Sequence, residues 1–201
     1  YPVGVLANHR GVLFSEEAKK ATEFILLANQ TDTPLLFLQN TTGYMVGASY
    51  EQGGIIKDGA KMINAVTNST VPHLTVNMAS SFGAGNYGMS GRAYDPRFMF
   101  AWPGAKLAVM GAAQLAGVLS IVGRASAASQ GRPYDEDADR ARTAAIERQI
   151  EEESHAFAVT ARIYDDGIVD PRDTRTVLGM ALSAVHSNRV EGRRGFGVFR
   201  M

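Results

Sequence analysis

The sequence predicts an α/β fold, and three observations carry that prediction. Pro34–Gln39 and Val71–Met78 are continuous apolar runs, the pattern of strands buried on both faces. Each run leads into a glycine-containing loop. Each loop is followed by a segment that repeats apolar residues at helical spacing or can start a helix. Strand–strand–helix and strand–helix units joined by short loops are the signature of α/β layering.

The elements follow in order. Val3–Ala7 and Gly11–Phe14 are short apolar runs separated by Asn8-His9-Arg10, expected to form a hairpin or adjacent strands of one ladder. Ser15 is placed to cap the next helix, with Glu16 and Glu17 favourable in its first turn. Ala18, Ala21, Phe24, Ile25 and Ala28 make 16–29 an amphipathic helix. After the strand Pro34–Gln39, a loop over 40–47 passes from polar residues through Gly43 to apolar and aromatic ones. A helix starts near Gly54 with Ile56, Ala60, Ile63 and Val66 on one face. Val71–Met78 then feeds a turn of small residues. Phe98–Ala101 and Leu107–Met110 are further short strands around a Pro103-Gly104 turn, and Gly111–Val122 is a small-residue helix. Gln130–Asp135 is a loop. Glu136–Tyr164 reads as one long helix with a solvated charged face, ended by Asp165-Asp166-Gly167. Ile168–Pro171 is extended, and Asp173 or Thr174 caps a last helix through Val185. The tail Gly192–Met201 is basic, then glycine-rich and aromatic. No repeat or linker divides the chain, so 1–201 is expected to be one domain.

Composition removes several classes of function. Lys plus Arg number 20 and Asp plus Glu number 20, which gives no electrostatic case for nucleic acid or an anionic membrane surface. There is no cysteine, which excludes a disulfide scaffold, a thiol nucleophile and a Cys-based zinc site and fits a reducing compartment. His9, His73, His155 and His186 are scattered without metal-ligand spacing, so no metal site is expected. No apolar run reaches membrane-spanning length and no basic leader precedes Val3. A start at Tyr1 is what a segment of a longer chain, or one that has lost its first residue, would show.

The chemistry is placed on Val76–Met89. There a buried strand ends, turns through Gly83-Ala84-Gly85 and opens a helix, which collects unpaired backbone N–H groups at one point. Such a group of donors holds developing negative charge on an oxygen without any catalytic side chain. Gly83 and Gly85 let a ligand approach the backbone closely. Gly83–Gly88 matches Gly-x-Gly-x-x-Gly superficially, but no acidic residue follows at a strand end, and the nucleotide reading is rejected. Because ligands bind at the carboxyl ends of strands in such folds, the loops 40–47 and 80–88 are expected to be neighbours.

Longer motifs go further. Ala7-Asn8, Gly11–Ser15, Phe37–Gly47, Gly83–Met89, Gly91–Tyr94, Ala101-Trp102-Pro103, Ala108–Gly111 and Asp165–Arg175 together resemble the carboxyltransferase β subunits of biotin-dependent acyl-CoA carboxylases. The Asn-Thr-Thr-Gly-Tyr-Met and Gly-Ala-Gly-Asn-Tyr-Gly-Met forms are similar to the methylcrotonyl-CoA branch, and Met78-Ala79-Ser80 departs from the glycine-containing sequence expected at that point. The match is to the C-terminal domain of such a subunit, the biotin side, without the N-terminal half that supplies most of the CoA site. The resemblance implies a crotonase-like (ClpP/crotonase) spiral of ββα units and transfer of a carboxyl group from carboxybiotin to an acyl-CoA. It implies backbone N–H groups of Ala84 and Gly85 as an oxyanion hole for biotin. Gly43, Tyr44, Met45 and Gly83 become the biotin wall, and Asn86 and Tyr87 line the substrate pocket. The implied partners are an acyl-CoA, a biotin carboxylase/biotin carrier α subunit that bears the biotin, and further copies in a homo-oligomer. The implied setting is the bacterial cytoplasm or the mitochondrial matrix. Two alternatives stand beside it: a biotin-independent crotonase-fold hydratase, isomerase or decarboxylase, and a non-catalytic assembly module. A hydratase would need carboxylates at the glycine loops, and none is there.

Overall fold

The computed structural model describes residues 1–199. The first unit is β1 (Gly4–Ala7), β2 (Val12–Leu13) and α1 (Ser15–Gln30). The second is β3 (Leu35–Thr41), β4 (Gly43–Tyr44), a short α2 (Ala48–Gln52) and α3 (Ile55–Asn68). The third is β5 (His73–Phe82) running directly into α4 (Gly83–Gly88). After a 3-10 turn at Arg92–Tyr94 come β6 (Phe98–Ala101), β7 (Lys106–Ala108) and α5 (Ala112–Ser129). The chain finishes with α6 (Glu136–Ser154), α7 (Ala156–Ala161), a 3-10 turn at Pro171–Asp173 and α8 (Thr174–Val185).

The main sheet runs β1-β3-β5-β6, all parallel. Side chains alternate across it. Leu35 and Phe37 pack with Ile25, Met62 and Val66 from α1 and α3. Leu36, Leu74 and Val76 pack with Ala181, Leu182 and Val185 from α8. Both faces are covered, which is why the strands read as continuous apolar runs. Burial of these two layers drives the fold, at about 25 cal/mol per Å² of apolar surface removed from water.

The expected pairing of the first two runs is corrected. Gly4–Ala7 lies along Leu35–Leu38, whereas Val12–Leu13 lies along Gly43–Tyr44 in a separate two-stranded sheet. Asn8 separates them: its Oδ1 accepts from the Asn40 backbone N–H at 2.9 Å, and its amide donates to the Arg10 carbonyl. The chain thus leaves the main sheet at Asn8, and β3 does the same at Thr41.

Other boundaries differ for local reasons. β5 continues past Met78 to Phe82, and its far end gains its own partner: Leu74–Asn77 pair with β6, while Ser80–Phe82 pair with β7. Between Gln39 and Thr41 the register against β5 slips, with Gln39 opposite Asn77 and Thr41 opposite Ser81. The face of α3 is rotated from expectation: Ile55, Met62, Ala65 and Val66 are buried, and Ile56 is 68% exposed. The α1 cap comes from Glu17, whose carboxylate accepts from the Phe14 N–H at 3.1 Å, rather than from Ser15. α5 runs on to Ser129, beyond the expected end at Val122. The long charged helix breaks at His155, which is extended, bridges Lys106, and caps α7 by accepting from the Ala158 N–H at 3.3 Å. Of the tail, Gly192–Phe199 lies within the described residues; Arg200 and Met201 lie outside them. There Arg194 donates to the Asn29 carbonyl at the end of α1 and pairs with Asp32 at 2.9 Å.

A polar path crosses the core beneath the sheet. Asn29 donates to Ser69 Oγ at 2.8 Å, Ser69 Oγ lies 2.9 Å from His73 Nε2, and His73 Nδ1 lies 2.8 Å from Ser90 Oγ. His73 is buried, and burial pulls its pKa from 6.5 down to about 4. The folded ring is therefore neutral where the unfolded one still binds a proton. Stability rises with pH through that window, is fully present above about 6.5 and is lost as pH falls toward 4. The depressed pKa corresponds to roughly 3 kcal/mol across the window. Urea unfolding of the native sequence and of His73→Asn from pH 4 to pH 7 should show this slope in the first and a flatter profile in the second. Equal slopes would remove His73 as the source.

Candidate active site

The candidate site forms where β5 becomes α4 with no intervening loop. Gly83 makes the switch with φ of +53°, the left-handed region that glycine enters without strain. The residues that follow are right-handed, so successive N–H groups at the start of α4 turn toward one side, an arrangement suited to an anion. Helix geometry leaves the N–H groups of the first turn, Ala84 and Gly85 among them, without intrahelical partners. Ala84 is exposed and Gly85 is buried.

Gly85 is buried against the other glycine loop, so the expected adjacency of the two loops is observed. A β-carbon on Gly85 would stand 2.6 Å from Thr41 Oγ1 and 3.0 Å from the Gly43 Cα. Gly43 itself has φ of +137° and donates its N–H to Thr41 Oγ1 at 3.2 Å. A third wall is the segment that leads into α5: a β-carbon on Gly83 would meet the Val109 carbonyl at 3.0 Å, and one on Gly111 would touch Phe82. The starts of α4 and α5 are therefore neighbours. Both contribute the positive end of a helix dipole, and no acidic side chain occurs in 40–47 or 80–88 to offset it.

The expected site residues fall into two groups. Gly43, Gly83, Ala84 and Gly85 form the backbone-lined corner. Met45 follows it, half-buried, with its N–H donated to the Leu13 carbonyl at 2.8 Å. Tyr87 is 44% exposed, with its ring edge-on to Tyr94 at 5.7 Å. Tyr44 turns inward. Its ring lies against Gly59 and Gly88, and its hydroxyl reaches Met62 Sδ at 3.4 Å. Burial, with Tyr94 nearby, pushes its pKa above the ordinary tyrosine value, so it is a neutral phenol and not a base. Asn86 is held by Ser81, to whose Oγ it donates at 2.7 Å. Gln39 and Ser81, both fully buried, join Asn86 behind the corner, although local pattern marks them only as strand and turn. The available signal was a glutamine closing an otherwise apolar run.

A surface hollow of about 700 Å³ lies elsewhere, lined by Lys19, Glu51, Lys57, Asp58 and Lys61. Lys19 and Lys61 both pair with Asp58, which cancels most of its charge. Among the described residues no cluster of His, Asp and Glu is arranged to hold a metal ion.

Comparison with known proteins decides the family, because the carboxyl transferase domain matches residues 1–199. The chain belongs to the carboxyl transferase domain family. It is 65% identical over its whole length to a Mycobacterium tuberculosis protein described as "Probable biotin-dependent acyl-coenzyme A carboxylase beta2 subunit", and covers 38% of that protein. It is 50% identical to the biotin-dependent 3-methylcrotonyl-coenzyme A carboxylase beta1 subunit of the same organism, again over its whole length and 38% of the relative. The β subunit of Pseudomonas aeruginosa geranyl-CoA carboxylase superposes with a TM-score of 0.83 at 43% identity, over 98% of this chain and 37% of that one. The carboxyl transferase domain described here therefore spans well under half the length of these relatives. Its ββα spiral is the crotonase-like fold that the sequence motifs implied.

The packing of this domain's corner is testable without any assay of activity. A β-carbon on Gly88 would stand 2.2 Å from the Tyr44 hydroxyl oxygen. Gly88→Ala should destabilise the domain by roughly 1–3 kcal/mol through overpacking. Tyr44→Phe removes that oxygen at little cost, since its contact is one weak sulfur acceptor. In a double-mutant cycle followed by urea unfolding, Gly88→Ala should cost distinctly less in the Tyr44→Phe background. Additive effects would contradict the placement of Tyr44.

Proposed function

We propose that this domain is the biotin-facing part of a carboxyltransferase, which moves a carboxyl group from carboxybiotin to an acyl-CoA such as 3-methylcrotonyl-CoA or a related thioester. One observation carries the reading: the glycine corner offers backbone donors and no acid. Ala84 and Gly85 present N–H groups at the start of α4, and Gly85 is pressed against Gly43 with no room for a β-carbon. A planar, uncharged ureido ring fits such a corner, and a carboxylate-based hydration site does not.

Carboxybiotin carried on a partner subunit or domain would supply the carboxyl group and the base. The chain's own task is then electrostatic. The Ala84 and Gly85 N–H groups, fixed in place beforehand, would hold negative charge on the ureido oxygen. Gly83 sets their direction, and Gly43 and Met45 bound the ring from the opposite loop. Tyr44 acts from behind, filling the space between α3 and α4 so that the corner cannot collapse. We assign Tyr87, with its neighbour Tyr94, to the side from which an acyl group would enter, while Asn86, expected beside it, turns its amide inward to Ser81.

We propose that the CoA-binding surface is supplied by a facing N-terminal domain, and that the domain works within a homo-oligomer alongside a biotin carboxylase/biotin carrier subunit. Val118, Ile121 and Val122 are exposed apolar side chains at helical spacing on one face of α5, a face suited to packing on another subunit. Among the described residues no helix is long and apolar enough to cross a membrane. The proposed setting is a bacterial cytoplasm or a mitochondrial matrix.

Two measurements test this reading. In the full-length subunit assembled with its biotin-bearing partner, Gly85→Pro deletes one donor and should cut carboxyl transfer about 10²–10³-fold. Ala84→Gly keeps both donors and should cost far less. If a folded Gly85→Pro enzyme transfers carboxyl groups at the unmutated rate, the oxyanion assignment is wrong. Separately, Ile121→Lys should weaken oligomer formation in sedimentation velocity, and an unaltered distribution would remove α5 from the subunit contact.

A further inference from the structure

We infer that Gln39 is a positioning residue for the oxyanion corner, acting through Ser81 and Asn86 to set where the first turn of α4 stands against the β3–β4 loop. The inference rests on the proposed role of the Ala84 and Gly85 N–H groups.

The chain of contacts is short and closed. Gln39 Nε2 donates to the Met89 carbonyl at 2.6 Å, at the far end of α4. Ser81 Oγ donates to Gln39 Oε1. Asn86 Nδ2, in the middle of α4, donates to Ser81 Oγ at 2.7 Å. One side chain of β3 thus grips the short helix at two points, directly at Met89 and through Ser81 at Asn86. A helix of six residues has little rigidity of its own, so two fixed points define its axis and the direction of its first N–H groups.

The site opposite lies on the same strand as the grip. Gln39 is two residues from Thr41 and four from Gly43, the two residues that Gly85 touches. Movement of Gln39 relative to α4 would therefore change the gap between the N–H groups and the opposing loop. The register slip after Gln39 sets Ser81 opposite Thr41, two residues along from Gln39, and the Ser81 hydroxyl reaches back to the Gln39 side chain.

A purely structural core would not need these groups. Gln39 and Ser81 are 0% exposed, and burying polar side chains stabilises nothing unless every partner is in place. Asn86 is locked from its other side too. A β-carbon on Gly91 would fall 1.8 Å from Asn86 Oδ1, so Gly91 lies tight over that amide. All the hydrogen bonds of the network converge on α4 and on the strand that leads into it. None reaches α1, α3 or α8.

The experiment uses the full-length subunit assembled with its biotin-bearing partner. Gln39→Met keeps the volume and removes both hydrogen bonds; Asn86→Ala cuts the chain at its less buried end. Each is compared with the unmutated enzyme for kcat, KM for the acyl-CoA and melting temperature. Misplaced donors should lower kcat roughly ten- to a hundredfold and leave KM nearly unchanged, because the lost interaction belongs to the transition state. The double variant should fall no further than the worse single one, since both break one chain. If Gln39→Met does not assemble, Asn86→Ala decides. A folded enzyme from either variant with unaltered kcat overturns the inference, as does a loss confined to melting temperature. Gly85→Pro in the same assay separates the two readings. Full activity there defeats the oxyanion assignment itself. Loss there with kcat intact in Gln39→Met and Asn86→Ala defeats only the positioning role.

Discussion

The backbone of α4 lies directly on the backbone of the β3–β4 corner. Between Gly85 and Gly43 there is no space for a side chain, and the surrounding structure is arranged to keep that contact. Tyr44 fills the volume behind it, with Gly59 and Gly88 reduced to glycine so that the ring can lie flat between two helices. Close-packed interiors transmit such constraints rather than absorb them. A change on α3 that moves the Tyr44 ring is therefore felt at α4, although α3 contributes no donor to the corner.

Much of this was legible in the sequence, and what was not has identifiable causes. The buried strands, α1, β6 and the α4 start follow from apolar runs and glycine placement, and the nearness of loops 40–47 and 80–88 follows from strand direction in an α/β fold. Partner choice does not follow from local pattern. Val3–Ala7 and Gly11–Phe14 look like a hairpin, but Asn8 ties the chain to Asn40 across a gap of 32 residues and sends them to different sheets. Ser80 and Ser81 are polar and read as a turn; only the distant Gln39 shows why Ser81 is buried in a strand. Periodicity alone ran the charged helix through His155, because the bridge to Lys106 that breaks it lies 49 residues away in sequence. The inward contacts of the Tyr44 ring with Gly59, Met62 and Gly88 are likewise made with residues 15 to 44 positions further along the chain. In each case the missing information was a contact between residues far apart in the chain.

The electrostatic character of the corner comes from backbone, not from side chains. Two helix starts meet there, while the ionic side chains are distributed elsewhere: Arg124 with Glu136 between α5 and α6, Lys19 with Asp58 beside α3, Arg194 with Asp32 near the end of α1. Exposed pairs such as Arg124 with Glu136 contribute little to stability. Their placement leaves the donors at Ala84 and Gly85 free of competing carboxylates. The partial charges of peptide groups do not titrate, so a corner built from them keeps the same sign of field across the whole range in which the fold survives.

The strand β5 spends one edge on two successive partners, β6 for its first half and β7 for its end. This gives the chain an order of assembly. Parallel strands cannot pair until the crossover between them has been traversed, and such long-range closures are slow. During synthesis β3 and β5 can meet before Lys106–Ala108 has been made, which leaves Ser80–Phe82 with one bare edge beside an apolar sheet. A nascent chain arrested at that stage carries an unpaired, sticky edge at the point where α4 is to be held. The segment that finishes the glycine corner is thus also the one that shields it from aggregation, and a slow codon tract placed just before it would lengthen the hazardous interval.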